Sequence, residues 1–272
     1  MRIALFTLLI ACGFGILPAY ATERVLTLSF GGEERRITAA ELLARPEVAT
    51  LTVPEDVSYR RVMAYRAVPL LSLIGKAANA FDTIEARASD GFVSQIPASL
   101  VANGASGGSV AWVAIEDPDT SWQNLPGREE SAGPFYLVWE HPERSGVGSE
   151  QWPYALVALK GVADPVRRWP QLAVDPALPA DAPERRGQAA FIKTCIACHR
   201  MEGAGQGEIG PDLGQPMNVT AYMTPEGIRA LIRDPKSVRT WPAQEMPGFD
   251  AKSIPDADVD ALIAYFAHLA TR

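Results

Sequence analysis

The five residues from Cys195 to His199 constrain the fold of this chain more than any other part of its sequence. They form the pattern Cys-Ile-Ala-Cys-His. In such a pattern two thiols form thioether bonds with the vinyl groups of a haem, and the histidine that follows binds the iron. The sequence therefore predicts one covalently attached haem c, held by Cys195 and Cys198, with His199 as the proximal iron ligand.

Two other uses of a Cys-x-x-Cys pair fit this sequence less well. A zinc site needs four ligands, but the only other cysteine is Cys12, and His141 and His268 are far away in sequence. A thioredoxin-like dithiol is expected within a βαβ unit. The stretch from Gln188 to Arg200 instead has the composition of a helix.

The first 21 residues have the pattern of a secretory signal peptide. A basic start is followed by an apolar run, Ile3 to Leu17, and by Ala-Tyr-Ala ending at Ala21, which predicts cleavage after Ala21. The run contains two glycines and is shorter than the roughly 20 apolar residues of a membrane-spanning helix. We therefore expect a periplasmic protein whose mature chain has no transmembrane helix. Lipid attachment at Cys12 is the alternative.

Removal of residues 1–21 leaves Cys195 and Cys198 as the remaining cysteines, so no structural disulfide is expected. The formal net charge is −7, and becomes −8 without Arg2. An acidic chain is repelled by nucleic acid, so no nucleic-acid partner is expected. The charge favours a basic surface on a redox partner protein, although solubility explains it equally well.

The composition of the chain changes about two thirds of the way along its length. Closely spaced prolines in residues 165–183 interrupt both helix and sheet, which predicts an extended linker. The predicted organisation is a signal peptide at 1–21, an α+β domain at 22–164, this linker, and an all-α domain at 184–272.

The order of motifs in the last domain resembles that of a class I cytochrome c. The motifs are the segment Glu184 to Phe191, the Cys-x-x-Cys-His pattern, Gly210-Pro211-Asp212-Leu213, Met246-Pro247-Gly248-Phe249, and a final helix from Asp256 to Leu269. The resemblance implies that the first and last helices cross. The last helix has apolar residues at i, i+3, i+4 and i+7, as expected of a buried helical face: Val259, Leu262, Ile263 and Phe266.

The distal iron ligand is predicted to be Met246, which precedes a proline and the final helix and matches the family's methionine loop. A thioether there stabilises ferrous iron. Met217 and Met223 are the rivals, with loop or core packing as their other explanation. Met201 is too close to His199 in sequence to reach the opposite side of the iron, and His268 is expected at the edge of the core.

The resemblance also implies roles for four other residues. The backbone carbonyl of Pro211 is expected to support the proximal imidazole, although Gly-Pro is also an ordinary turn sequence. Tyr222, Arg239 and Trp241 are expected near the haem propionates. Packing is an equal alternative for the two aromatic residues.

The N-terminal domain is predicted to be α+β with a mixed sheet. Alternating residues from Val25 predict a hairpin, and Thr38 is placed to cap a helix over Ala39 to Ala44. The segment Tyr65 to Ile74 predicts a strand that leads into a short helix. Ile84 to Pro97 predicts strand, turn, strand.

This order resembles the molybdopterin-binding fold of sulfite oxidase relatives. The matching segments are Tyr65-Arg66-Ala67-Val68-Pro69-Leu70, Ser89-Asp90-Gly91-Phe92 and Gly133 to Trp139. Those enzymes bind molybdenum through a cysteine, and the sequence has none between Thr22 and Thr194. A cysteine-ligated molybdenum centre is therefore not expected.

Together these features predict a periplasmic monohaem cytochrome that carries single electrons between a partner dehydrogenase and a downstream acceptor. The N-terminal domain would be a docking or scaffolding module, and no residue is assigned a catalytic role. Trp112 and Trp139 are expected in the core, whereas Trp122 and Trp152 are expected to be exposed and to mark a docking surface. The alternatives are an oxidoreductase subunit that binds a pterin without cysteine and a haem-based ligand sensor.

Overall fold

The N-terminal region of the protein is built on two β-sheets. The computed structural model describes residues 24–75, 77, 80–242 and 244–272. The predicted signal peptide and Cys12 lie outside the described residues. Within these ranges the strands are β1 (Val25–Phe30), β2 (Glu33–Thr38), β3 (Ala49–Val53), β4 (Met63–Pro69), β5 (Thr83–Ala88), β6 (Val93–Pro97), β7 (Val110–Ile115), β8 (Phe135–Glu140) and β9 (Leu156–Val162).

The first sheet has the strand order β2-β1-β9-β5-β6, and the second has the order β3-β4-β7-β8. Neighbouring strands are antiparallel except for β1 and β9, which run parallel with Leu28 opposite Leu159. The first sheet is therefore mixed, as predicted. Side chains of both sheets meet in one hydrophobic core, to which Leu26 and Val113 belong.

Short helices connect some of the strands, namely α1 (Ala39–Leu43), α2 (Leu70–Ile74) and α3 (Ala98–Ala102). A fourth, α4 (Pro165–Arg168), follows the last strand, β9. The predicted cap of α1 is present, because Thr38 Oγ1 accepts a hydrogen bond from Glu41 N and the Glu41 carboxylate accepts one from Thr38 N. The strand that leads into α2 and the hairpin of β5 and β6 also form where the sequence predicts them.

The tryptophans differ in part from expectation. Trp139 is buried in the core, as predicted, and Trp112 packs against it. Trp152 is only 4% exposed and Trp122 is half-buried against the same core. The expectation of exposed docking residues at these two positions is therefore wrong. A following proline indicates irregular backbone and does not exclude burial of the side chain before it.

The C-terminal region is helical, as predicted. Its helices are α5 (Pro183–Ala190), α6 (Pro225–Arg233), α7 (Pro235–Val238) and α8 (Asp256–Leu269). Helices α5 and α8 cross at Gly187, where an added Cβ would lie 2.0 Å from the carbonyl oxygen of Ala261. Next to the crossing, Phe191 stacks near Tyr265 and Phe266, with ring centroids 5.9 and 6.1 Å apart.

The proline-rich stretch 165–183 differs from the predicted extended linker. It contains α4 and a 3₁₀ turn at Pro170–Leu172. Leu172 is fully buried in the C-terminal core, and its carbonyl oxygen accepts a hydrogen bond from the Tyr265 hydroxyl at 2.8 Å. Proline is tolerated in the first turn of a helix, so these prolines start short helical turns instead of preventing them.

The N-terminal region lies directly against the Cys-x-x-Cys-His segment. Val93 N donates a hydrogen bond to Ala197 O at 2.9 Å, and Lys193 Nζ donates to Gly146 O at 2.9 Å. Arg87 in β5 donates to the Gln206 side chain at 2.8 Å. None of the helices in the described residues has the length and apolar composition needed to cross a membrane.

Candidate haem-binding site

The two cysteines lie at the end of a helix that changes its winding. After α5, residues Phe191–Cys195 form a single π-helical turn, in which Ile196 N donates to Phe191 O at 2.9 Å. Both thiols are half-buried, and burial is the main cause that raises the pKa of each to about 12. Both groups are therefore protonated thiols at neutral pH, the form whose S–H bond adds across a vinyl group.

The imidazole of His199 is fixed by its backbone surroundings. Its Nδ1–H donates to the carbonyl oxygen of Pro211 at 2.8 Å, which assigns the tautomer because a carbonyl oxygen only accepts. Nε2 is left unprotonated and has its lone pair available for a metal. Burial lowers the pKa of His199 from its usual value and so favours this neutral form. The role predicted for the Pro211 carbonyl agrees with this geometry.

Gly210 and Asp212 hold the loop that carries Pro211. A Cβ at Gly210 would lie 2.4 Å from Cε1 of the His199 ring, so the ring packs directly on the glycine backbone. The Asp212 carboxylate accepts hydrogen bonds from four backbone N–H groups at 2.7 to 3.0 Å, those of Glu202, Gly203, Gly214 and Gln215. One carboxylate therefore organises the loop on the proximal side.

Met246 lies in a loop that is attached to the end of α6. Its side chain is half-buried and packs against the C-terminal core. Phe249 N donates to Ile232 O at 2.9 Å, and the Arg233 guanidinium donates to Phe249 O at 2.9 Å. Gly248 lies so close to α6 that a Cβ there would be 2.6 Å from Arg233 O. These contacts give the methionine loop a defined position.

A cavity of about 920 Å³ lies between the two regions of the protein. From the C-terminal region it is lined by Cys198, Ile209 and residues on both sides of Met246, among them Glu245 and Pro247. From the N-terminal region it is lined by the residues Arg60, Asp90, Arg128, Glu150, Trp152 and Tyr154. Arg128 also forms an ion pair of 3.3 Å with Glu245 of the methionine loop. Both regions of the protein therefore contribute to the wall of the cavity.

Other predicted residues lie outside the lining of this cavity. Tyr222 is 56% exposed and Trp241 is 45% exposed, and the exposed Arg239 guanidinium lies 5.6 Å from the Trp241 ring centroid. The structure therefore places these three side chains outside the lining of this cavity, and their role near the propionates stays a prediction. Their position in the chain matches the family pattern, but the loop turns their side chains toward solvent.

The rivals of Met246 occupy other places. Met217 is largely exposed, Met201 is fully buried in the core, and Met223 packs against the core. His268 Nε2 accepts a hydrogen bond from Asp175 N at 3.2 Å. His141 lies in a surface turn with φ +53° and pairs with Glu143 at 3.5 Å.

Sequence reasoning missed the contribution of the N-terminal region to the cavity. Arg60 has a left-handed backbone, φ +55°, which is uncommon for an arginine. Arg128 and Glu150 lie in irregular segments whose residues carry no motif. No local signal in the sequence identifies these side chains, because they reach the cavity through long-range packing.

The residues present fit a covalently bound haem. They provide two thiols, an imidazole with Nε2 free, and a thioether in a loop beside the same cavity. Gly210 leaves room for the ring of His199, as a proximal ligand requires. The amide of Gln244, two residues before Met246, is buried without a partner among the described residues, which indicates a polar group still to be bound nearby.

The fold and this site define a c-type cytochrome domain at the C-terminal end of the chain. Residues 184–270 match the family model for cytochrome c. None of the curated proteins compared with the chain matches it. The predicted cytochrome domain is therefore confirmed, and its family implies covalent haem c, electron transfer and a redox partner. The match does not extend to the two sheets of the N-terminal region.

Proposed function

We propose that the protein is a periplasmic monohaem cytochrome that carries single electrons between a partner dehydrogenase and a downstream acceptor. One observation carries the proposal: His199 has Nδ1 bound to Pro211 O and Nε2 free, and the residue before it, Cys198, lines a cavity bordered by the methionine loop. When bound, haem c supplies an iron centre that gains and loses one electron reversibly. A cleavable signal peptide at 1–21 accounts for the location.

In this proposal His199 is the proximal ligand and Met246 the distal ligand. The Pro211 carbonyl and Gly210 hold the imidazole in one orientation, and Arg233 holds the methionine loop. Ligands that are fixed in this way rearrange little between oxidation states, which favours rapid electron transfer. Met246 is half-buried and packs against the apolar C-terminal core.

The N-terminal region is proposed as a scaffold derived from a sulfite-oxidase-like fold. The mixed sheet and the hairpin of β5 and β6 support this origin, and the lack of a cysteine between Thr22 and Thr194 argues against a molybdenum centre. We divide the chain into the scaffold at 22–164, the connecting segment 165–183, and the cytochrome domain at 184–272. The scaffold contacts the haem motif through Val93, which donates to Ala197 O, and contacts the turn before the motif through Gly146, which accepts a hydrogen bond from Lys193.

The redox partner is proposed to present a basic surface. The net charge of −8 after loss of the signal peptide supports this choice, because opposite charge accelerates association. Association with the partner is then expected to slow as the salt concentration rises. A rate independent of salt would assign the acidic surface to solubility alone.

The test uses the full chain matured with a periplasmic haem-attachment system. The measurements are the iron and molybdenum content, a reductive titration, and the weak far-red absorption band of methionine on ferric haem. We expect one iron per chain, no molybdenum, the band, and a reversible one-electron titration. Stoichiometric molybdenum would make the protein a fused oxidoreductase, and failure to bind haem would overturn the proposal.

A further inference from the structure

Glu150 is brought to the haem cavity by a rigid turn of the N-terminal region. It belongs to the 3₁₀ turn Ser149–Gln151 and lines the cavity together with Cys198. Its carbonyl oxygen accepts a hydrogen bond from Ser94 Oγ at 2.7 Å, and the next carbonyl, that of Gln151, accepts one from the Trp139 indole at 2.8 Å. Both donors belong to strands, so the position of the turn is fixed by the sheets.

The carboxylate of Glu150 has few partners. The described hydrogen bond to its side chain comes from Ser149 Oγ at 3.2 Å. The structure pairs it with no cation among the residues it describes, and burial raises its pKa to about 7. Its negative charge also contributes to the raised pKa of both cysteine thiols, so it lies near both points of haem attachment.

The charged groups around Glu150 come from both regions. The turn packs on the segment Phe191–Cys195, where the Lys193 ammonium is bound to Gly146 O at 2.9 Å, and on β6, which has no charged residue. The cavity is also lined by charged residues of both signs, namely Arg60, Arg128, Asp90, Glu245 and Asp250, and by Tyr154. Arg128 is already paired with Glu245. Glu150 is thus a carboxyl group at the edge of this cavity with no ion-pair partner among the residues that the structure describes.

We propose that Glu150 binds a proton when the cytochrome accepts an electron and releases it when the electron leaves. This inference rests on the proposed function as an electron carrier. The electron comes from a one-electron donor protein and the proton from water, so the added negative charge and the added positive charge balance within the cavity. The protein then transfers a proton together with each electron at pH values near neutrality.

The physical reason is electrostatic. An electron added near a half-buried carboxylate repels its negative charge and so favours the protonated acid. The effect occurs at pH values between the pKa of Glu150 in the oxidised protein and its pKa in the reduced protein. In this range each tenfold fall in proton activity lowers the reduction potential by as much as about 59 mV, the value for a one-electron couple. Reduction also becomes easier when Glu150 is made permanently neutral.

The reduction potential of the holoprotein, measured from pH 5 to pH 9, tests the inference. For the wild type we expect a potential that falls with pH near neutrality. Glu150→Gln should lose most of that slope and have a higher potential at pH 8. Glu129→Gln, which removes an exposed carboxylate of the same region, is the matched control and should keep the slope.

A redox-induced infrared difference spectrum of the wild type provides a second test that needs no variant. A carboxylic acid C=O band should grow on reduction and shift in D₂O. A reversible couple with no pH dependence, or with the same slope in Glu150→Gln, overturns this inference and leaves the electron carrier intact. Absence of a reversible one-electron couple instead overturns the proposed function.

Discussion

The backbone N–H of Val93, the first residue of β6, donates a hydrogen bond of 2.9 Å to the carbonyl oxygen of Ala197, inside the Cys-x-x-Cys-His pattern. Ala197 itself is 1% exposed. A strand of the N-terminal region therefore binds the backbone between the two haem-attaching cysteines. The structure of the haem motif and the packing of the two regions depend on each other at this contact.

A charge at Ala197 is expected to separate the two regions. Ala197→Lys places an unpaired ammonium in a buried contact, which costs about 3 kcal/mol. Hydrogen exchange of the Val93 amide should become much faster, and the unfolding temperature should fall. Ala267→Lys adds the same charge at an exposed position of α8 and should change neither measurement. Equal protection of Val93 in both variants would contradict the importance of this contact.

The crossing of α5 and α8 should not tolerate a side chain at Gly187. The Cβ of Gly187→Ala would lie 2.0 Å from Ala261 O, so the helices must move apart, at a cost of about 2 to 3 kcal/mol. Thermal unfolding of the holoprotein measures the loss. Gly227→Ala in α6 meets only ordinary contacts from 3.5 Å and should be neutral or stabilising by as much as about 1 kcal/mol. Similar losses in both variants would contradict a specific clash at the crossing of α5 and α8.

Features of the fold with local causes could be predicted from the sequence. The capping box at Thr38 depends on residues three positions apart, and the final helix was predicted with the observed bounds, Asp256–Leu269. The haem motif is equally local, since all its groups lie within five residues. Such signals depend on neighbours in the chain, so they can be recognised without knowledge of the tertiary structure.

Long-range packing accounts for what the sequence did not predict. Trp152 precedes a proline, a pattern that favoured a loop, yet the sheets bury it beside the cavity. Arg60 and Glu150 reach the same cavity from separate segments. Trp241 lies in the predicted loop but faces solvent. In an irregular segment, distant contacts set the direction of a side chain. These contacts cannot be recognised in the pattern of a single sequence.

The distal ligand can be tested by removing its thioether. Met246→Ala should lose the far-red absorption band of the ferric protein, lower the reduction potential, and allow rapid binding of cyanide or carbon monoxide, because the sixth position is opened. Met217→Ala, at a position 52% exposed, is the matched control and should keep the band and resist these ligands. If the band persists in Met246→Ala, Met246 is not the distal iron ligand, and a ligand-binding function is favoured.

The raised pKa of Glu150 also predicts how the free energy of unfolding changes with pH. Burial raises its pKa from the usual value near 4.5 to about 7 in the folded protein. Between these values the folded protein holds a proton that the unfolded chain has lost, so stability falls as pH rises through this range and levels off above it. At about 1.4 kcal/mol for each unit of pKa, the full cost is about 3 kcal/mol.

Glu150→Gln removes this cost because glutamine does not ionise. In denaturant unfolding of the oxidised holoprotein, the free energy of unfolding of the variant should therefore exceed that of the wild type by about 3 kcal/mol at pH 8 and match it near pH 4. Glu129→Gln should stay close to the wild type at both pH values, since that carboxylate is exposed. A difference between Glu150→Gln and the wild type that is the same at pH 4 and pH 8 would show that the substitution acts through packing, and that Glu150 ionises normally in the folded protein.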